Sequence, residues 1–181
     1  MDTGSYRMKD VFLLPGLVSL SRVALAACFP FAVRSPFTAL AILALAGLSD
    51  VLDGWLARRL GQVTPTGSAL DPITDKLFVL TVAITLIATG HLSVGAVLAL
   101  STREIGELPL VLWLGLSPRA RRARAREASA NVMGKLATVL QFAAVSLSLL
   151  GSPLTGTLVA VTAAAGVLAA LSYWRRALDS S

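Results

Sequence analysis

Asp50-Val51-Leu52-Asp53-Gly54-Trp55-Leu56-Ala57-Arg58, then eight residues, then Gly67-Ser68-Ala69-Leu70-Asp71-Pro72-Ile73-Thr74-Asp75, is the stretch on which the reading of this chain turns. Four carboxylates stand among long apolar runs, where an ionised group is costly and marks function. Their spacings of three and four residues put each pair on one face of a helix. Two such helices meeting across a short turn converge four acidic side chains, a cage of oxygen ligands suited to hard divalent cations. Salt-bridged helix ends explain many single aspartates, and a cap in an opening turn would explain Asp71 alone. Neither explains four at this spacing with small residues between them.

The pattern Asp50-x2-Asp53-Gly54-x2-Ala57-Arg58-x8-Gly67-x3-Asp71-x3-Asp75 resembles the full signature of the CDP-alcohol phosphotransferase family, with every defining position filled. Members are integral membrane enzymes that move a substituted phosphate from a CDP-linked donor to an alcohol and release CMP. The resemblance implies that Asp50, Asp53, Asp71 and Asp75 hold two metal ions, Mg²⁺ or Mn²⁺, with Asp75 also the general base. It implies a CDP or CMP site at Asp50, Asp53, Gly54, Ala57, Arg58, Gly67 and Asp71. It also implies a homodimer.

The rest of the chain agrees with a membrane setting. Of 181 residues, 55% are hydrophobic and the mean hydropathy is +0.75, too apolar for a domain with a water-facing surface. A spanning helix needs about 20 apolar residues. Six segments approach that, near 11–33, 37–57, 73–90, 92–116, 132–150 and 154–174. The expectation is an all-α polytopic membrane protein: six transmembrane helices, an interfacial segment over 1–10, and one domain over 1–181. Arg7 and Lys9 before the first apolar run suggest a signal peptide, but Pro15 and Arg22 interrupt it and it reads as retained. Cys28 is the lone cysteine, which rules out an internal disulfide and a thiolate metal cluster. On an apolar segment it reads as a small buried hydrophobe.

The net charge of +6 is lopsided. Arg7, Lys9, Arg58, Arg59, Arg119, Arg121, Arg122, Arg124, Arg126, Arg175 and Arg176 fall at one set of segment ends, whereas Arg34 stands at the other with His91. The positive-inside rule puts both termini and the aspartate-bearing turn in the cytoplasm, in the inner membrane. No aromatic residues interleave with the Arg119–Arg126 run. It reads as attraction to anionic lipid head groups or as a topology signal, and not as a nucleic-acid footprint.

Further polar residues sit inside apolar runs. Pro15 and Arg22 resemble the opening of the phosphatidylglycerophosphate synthase branch, with Gly16 and Ser19 departing from it. Arg103-Glu104-Ile105 and Gly134-Lys135-x2-Thr138-x2-Gln141 resemble two more runs of that branch, with Ala137 in place of a second lysine. Arg22 and Arg103-Glu104, deep in their segments, need partners or a polar cavity. Neighbours on a helix diverge by about 100°, so Arg103 and Glu104 need not pair, whereas Glu107 can reach Arg103 at i,i+4. Pro109 is a candidate kink. Gly61 to Gly67 reads as a turn, with the third helix starting near Ala69 and Asp71 in its opening turn.

By resemblance, Arg22, Arg103, Glu104, Lys135 and Thr138 bind the acceptor. The reading is metal-dependent transfer of a phosphatidyl group from CDP-diacylglycerol to glycerol 3-phosphate. The three departures leave open a cardiolipin synthase or an inositol-phosphate-accepting member. From another class, a small channel or transporter would also carry intramembrane acids, but it gives no reason for Gly54, Ala57 and Gly67.

Overall fold

A computed structural model describes the backbone of residues 14–60, 65–116 and 132–179, and the side chains of 20–49, 52, 59, 73–109 and 134–175. The expected interfacial segment 1–10 and the Arg119–Arg126 run lie outside the described residues. Among those described, every element is helical: α1 (Leu14–Ala32), α2 (Pro36–Leu60), α3 (Pro65–Ala88), α4 (Val94–Leu100), α5 (Thr102–Leu116), α6 (Val132–Leu149) and α7 (Thr155–Asp179). They form two compact units, Met1–Gly90 and His91–Ser181.

In the first unit α1 packs against both α2 and α3. Its buried stripe is Arg22, Ala26, Phe29 and Val33, at helical steps of four, three and four. The α3 stripe is Thr74, Phe78, Val82 and Leu86, and the α2 stripe runs through Ala39, Leu43, Ala46 and Ser49. Phe29 and Phe78 meet edge to face with centroids 6.4 Å apart, a geometry aromatic quadrupoles favour. Cys28 lies off the α1 stripe, and its thiol is exposed. That corrects the expectation of burial. A helix apolar all round does not announce which face meets protein and which meets lipid.

In the second unit α7 takes the central place, packing on α4, α5 and α6. The expected single segment 92–116 is two helices, with the break at Ser101. Thr102 explains it in part. Its hydroxyl donates to the Ala99 carbonyl three residues back, and such side-chain bonds compete with the regular ladder. Pro109 lies within α5. A Schellman closure ends α6: Ser152 N–H donates to Leu147 O at 3.0 Å and Gly151 N–H to Ser148 O at 3.1 Å. Gly151 takes the left-handed φ of 64° that this closure demands.

The third helix begins earlier than the sequence suggests. Pro65 opens α3, a position where its missing N–H is harmless and its φ is already helical. Gly67 is therefore helical, and Asp71 falls in the second turn. No acidic residue lies in the first.

Large apolar side chains point outward on both units, among them Phe31, Phe37, Leu80, Ile84, Val139, Leu154 and Leu168. A surface of this kind suits hydrocarbon and not water. Within α7, Thr155–Arg175 is long and apolar enough to cross a membrane, and it alone passes that test among the described residues. Leu20–Ala32, Pro36–Ser49 and Gly134–Leu149 are shorter apolar helices.

Candidate active site

Counted along the two helices, the four aspartates are placed almost symmetrically about the 61–64 connection. Asp50 precedes the end of α2 by ten residues, and Asp75 follows the start of α3 by ten. Asp53 and Asp71 are seven and six residues from the same ends. At 1.5 Å per residue, each helix carries one carboxylate residue about 15 Å and one about 10 Å from the 61–64 connection. Asp53 follows Ala46 by seven residues and Asp71 precedes Phe78 by seven, two helical turns in each case. The side chains of Asp50, Asp53, Gly54, Ala57, Arg58, Gly67 and Asp71 lie outside the described residues.

Asp75 is described. Its side chain is 56% exposed, and its Oδ1 lies 3.9 Å from Nη1 of Arg22, whose own side chain is 2% exposed. This carboxylate is thus one partner of Arg22 inside its apolar run, at ion-pair distance. Thr74, beside Asp75 in sequence, is buried. Lys76 is exposed.

The donor set fits a hard divalent cation. By chemistry alone, four carboxylates without thiol or imidazole would make such a set, and Asp75 keeps an accessible carboxylate. Among the described residues no three acidic, histidine or cysteine side chains gather as a metal site. Three of the four aspartates are not among those side chains.

The second unit holds a separate polar cluster. Arg103 Nη1 donates to the Gly134 carbonyl at 2.8 Å and to Thr138 Oγ1 at 2.6 Å. The Thr138 hydroxyl donates in turn to the Gly134 carbonyl at 3.0 Å. Arg103 Nη2 lies 3.0 Å from Glu104 Oε1, and Nε lies 3.6 Å from Glu107 Oε1. The i,i+4 pair is as expected. The pairing of adjacent Arg103 and Glu104, left open by their helical positions, also forms, and the length of both side chains lets them bridge the roughly 100° between them. The other carboxylate oxygen of Glu104, Oε2, is buried and accepts no hydrogen bond among the described residues. Lys135 is exposed on α6, and no ion pair engages it among the described residues.

Comparison with known proteins gives the family of the chain. The model of the CDP-alcohol phosphatidyltransferase family matches residues 12–172, and the chain belongs to that family. A putative cardiolipin synthase of Mycobacterium tuberculosis is 38% identical over 113 residues, 59% of this chain and 54% of the relative. A CDP-diacylglycerol–glycerol-3-phosphate 3-phosphatidyltransferase of Pseudomonas fluorescens is 36% identical over 116 residues, 60% of this chain and 59% of the relative. The protein so named from Bacillus subtilis is 32% identical over 157 residues, 77% of this chain and 78% of the relative. The chain thus spans little more than half the length of the first of these relatives.

Proposed function

We propose that this chain transfers a phosphatidyl group from CDP-diacylglycerol to an alcohol and releases CMP. Family membership over residues 12–172 carries the reading, and the near-symmetric placing of four aspartates along α2 and α3 supports it. That match runs across both compact units, in favour of one functional domain with six spans, α4 and α5 together filling the fourth.

In this reading Asp50, Asp53, Asp71 and Asp75 hold two divalent ions, Mg²⁺ or Mn²⁺. Such ions, when bound, neutralise charge on the phosphoryl oxygens and on the leaving group. Asp50, Asp53 and Asp71, with Gly54, Ala57, Arg58 and Gly67, hold the CMP moiety. The small residues leave room for a flat base, and Arg58 offers a fork of donors to phosphate. Asp75 takes the proton of the acceptor hydroxyl as its oxygen bonds to phosphorus. The bond from phosphorus to the CMP oxygen breaks, and CMP leaves with the electron pair. Positioning and electrostatics carry such a transfer, and no covalent enzyme intermediate is required. Arg22, paired with Asp75, keeps that carboxylate oriented.

For the acceptor, glycerol 3-phosphate is the first reading. The Arg103-Glu104-Ile105 and Lys135–Thr138 runs support it, as do relatives bearing the glycerol-3-phosphate phosphatidyltransferase name. Glu104 Oε2, a buried acceptor without a donor, suits a substrate hydroxyl. Phosphatidylglycerol is the second reading, favoured by the relatives named cardiolipin synthase. Purified protein offered CDP-diacylglycerol with each acceptor in turn tests the choice by lipid product. Phosphatidylglycerophosphate supports the first, cardiolipin the second.

A further inference from the structure

We propose that Arg103 is a positioning residue which fixes the first turns of α6, so that Lys135 and not Arg103 meets an anionic acceptor. This rests on the acceptor reading above and deepens it. Two of the guanidinium nitrogens are engaged directly: Nη1 donates to the Gly134 carbonyl and the Thr138 hydroxyl and Nη2 pairs with Glu104 at 3.0 Å, while Nε makes no hydrogen bond among the described residues and lies 3.6 Å from Glu107. Two carboxylates flank the one guanidinium, so its charge is answered within the cluster and little of it is left for a phosphate. The atoms it grips on α6 belong to the residue just before Lys135 and to the residue one turn after it. Arg103 therefore sets the rotation and height of the helix at Lys135.

The base of this strut is firm. A β-carbon added at Gly166 of α7 would stand 3.0 Å from the Arg103 backbone nitrogen and 3.0 Å from Thr102 Oγ1, so α5 is seated closely on α7 there. Of the three basic residues assigned to the acceptor, Arg22 is buried against Asp75, Arg103 is held as described, and Lys135 stands exposed.

The test is a double-mutant cycle on the purified full chain, with CMP release read against glycerol 3-phosphate and against CDP-diacylglycerol. Lys135→Ala is expected to raise the KM for glycerol 3-phosphate about tenfold or more, as loss of a charge-assisted contact does. Arg103→Lys, which cannot serve all the partners, is expected to raise it several-fold. The double variant should be no worse than Lys135→Ala within about twofold, and the donor KM should hold in all three. Multiplied losses in the double variant would mean that Arg103 touches the acceptor, and would overturn the proposal. So would an Arg103→Lys protein with unchanged acceptor KM. If Arg103→Lys does not fold, Thr138→Val replaces it in the cycle with the same expectation, since it removes the oxygen that accepts from Nη1. A wild-type protein that releases no CMP with any acceptor would instead defeat the functional reading, and this proposal with it.

Discussion

Arg22 on α1 and Asp75 on α3 form an ion pair of unequal exposure: the guanidinium is buried, and the carboxylate 3.9 Å away is more than half open. The pair joins packing to chemistry. Its buried half belongs to the stripe that seats α1 on α3, and its open half faces outward as a group able to accept a proton.

Asp75→Asn should therefore do two things. Turnover should fall severely while CDP-diacylglycerol binding is largely kept, because size and oxygen geometry persist but the basic carboxylate is gone. Stability should fall as well, by about 1–3 kcal/mol. The full penalty for breaking a buried pair is larger, but one partner here is open to solvent. Adding Arg22→Met should recover part of the lost unfolding temperature and none of the turnover. Calorimetry and CMP release on the two variants check both parts.

The remaining aspartates should behave differently. Asp50→Asn and Asp71→Asn each remove a charge from the proposed cage, so metal and nucleotide affinity should weaken together. Titration of CDP-diacylglycerol at several Mn²⁺ concentrations separates this from a pure turnover defect. Excess Mn²⁺ should restore part of the nucleotide affinity in these two variants and nothing in Asp75→Asn turnover.

Two glycines should respond in opposite directions to alanine. A β-carbon at Gly106 would stand 2.6 Å from the β-carbon of Ala170, an atom that cannot rotate away, so α5 and α7 must part. Trp174 Nε1 also donates to the Gly106 carbonyl at 2.9 Å, and that bond would shift with them. Gly106→Ala should cost about 1–3 kcal/mol. At Gly156 an added β-carbon meets nothing within 4 Å, so Gly156→Ala should be neutral or stabilise by up to about 1 kcal/mol. Thermal unfolding of both variants in the same detergent decides it.

Much of this architecture is legible before any coordinates. Apolar run length gave the helices, and the spacing of Asp50, Asp53, Asp71 and Asp75 gave the candidate site. The differences have separate physical causes. Sequence patterning distinguishes faces by polarity, and these helices are apolar nearly all round. The sequence around Cys28 therefore does not reveal its face, and the thiol is exposed. The start of α3 was missed because Pro65 and Gly67 read equally as turn residues and as the first turn of a helix. The Ser101 break depends on which carbonyl the Thr102 hydroxyl chooses, and no run of hydropathy records that. The helical angle between Arg103 and Glu104 leaves their pairing open, and the reach of two long side chains closes it.

Orientation is open to direct test. If the basic segment ends face the cytoplasm, reporter fusions at Ser181 and near Arg124 should both read as internal. An external signal at either place would set the proposed catalytic end of α2 and α3 on the side away from CDP-linked substrates.

The central claim is metal-dependent phosphatidyl transfer by the aspartate set, and CMP release by the purified chain measures it most directly. With CDP-diacylglycerol and an alcohol acceptor, CMP should appear in Mg²⁺ or Mn²⁺, cease in EDTA, and resume when the metal is restored. Undiminished turnover in EDTA, or no CMP with any acceptor in the presence of either metal, would contradict it.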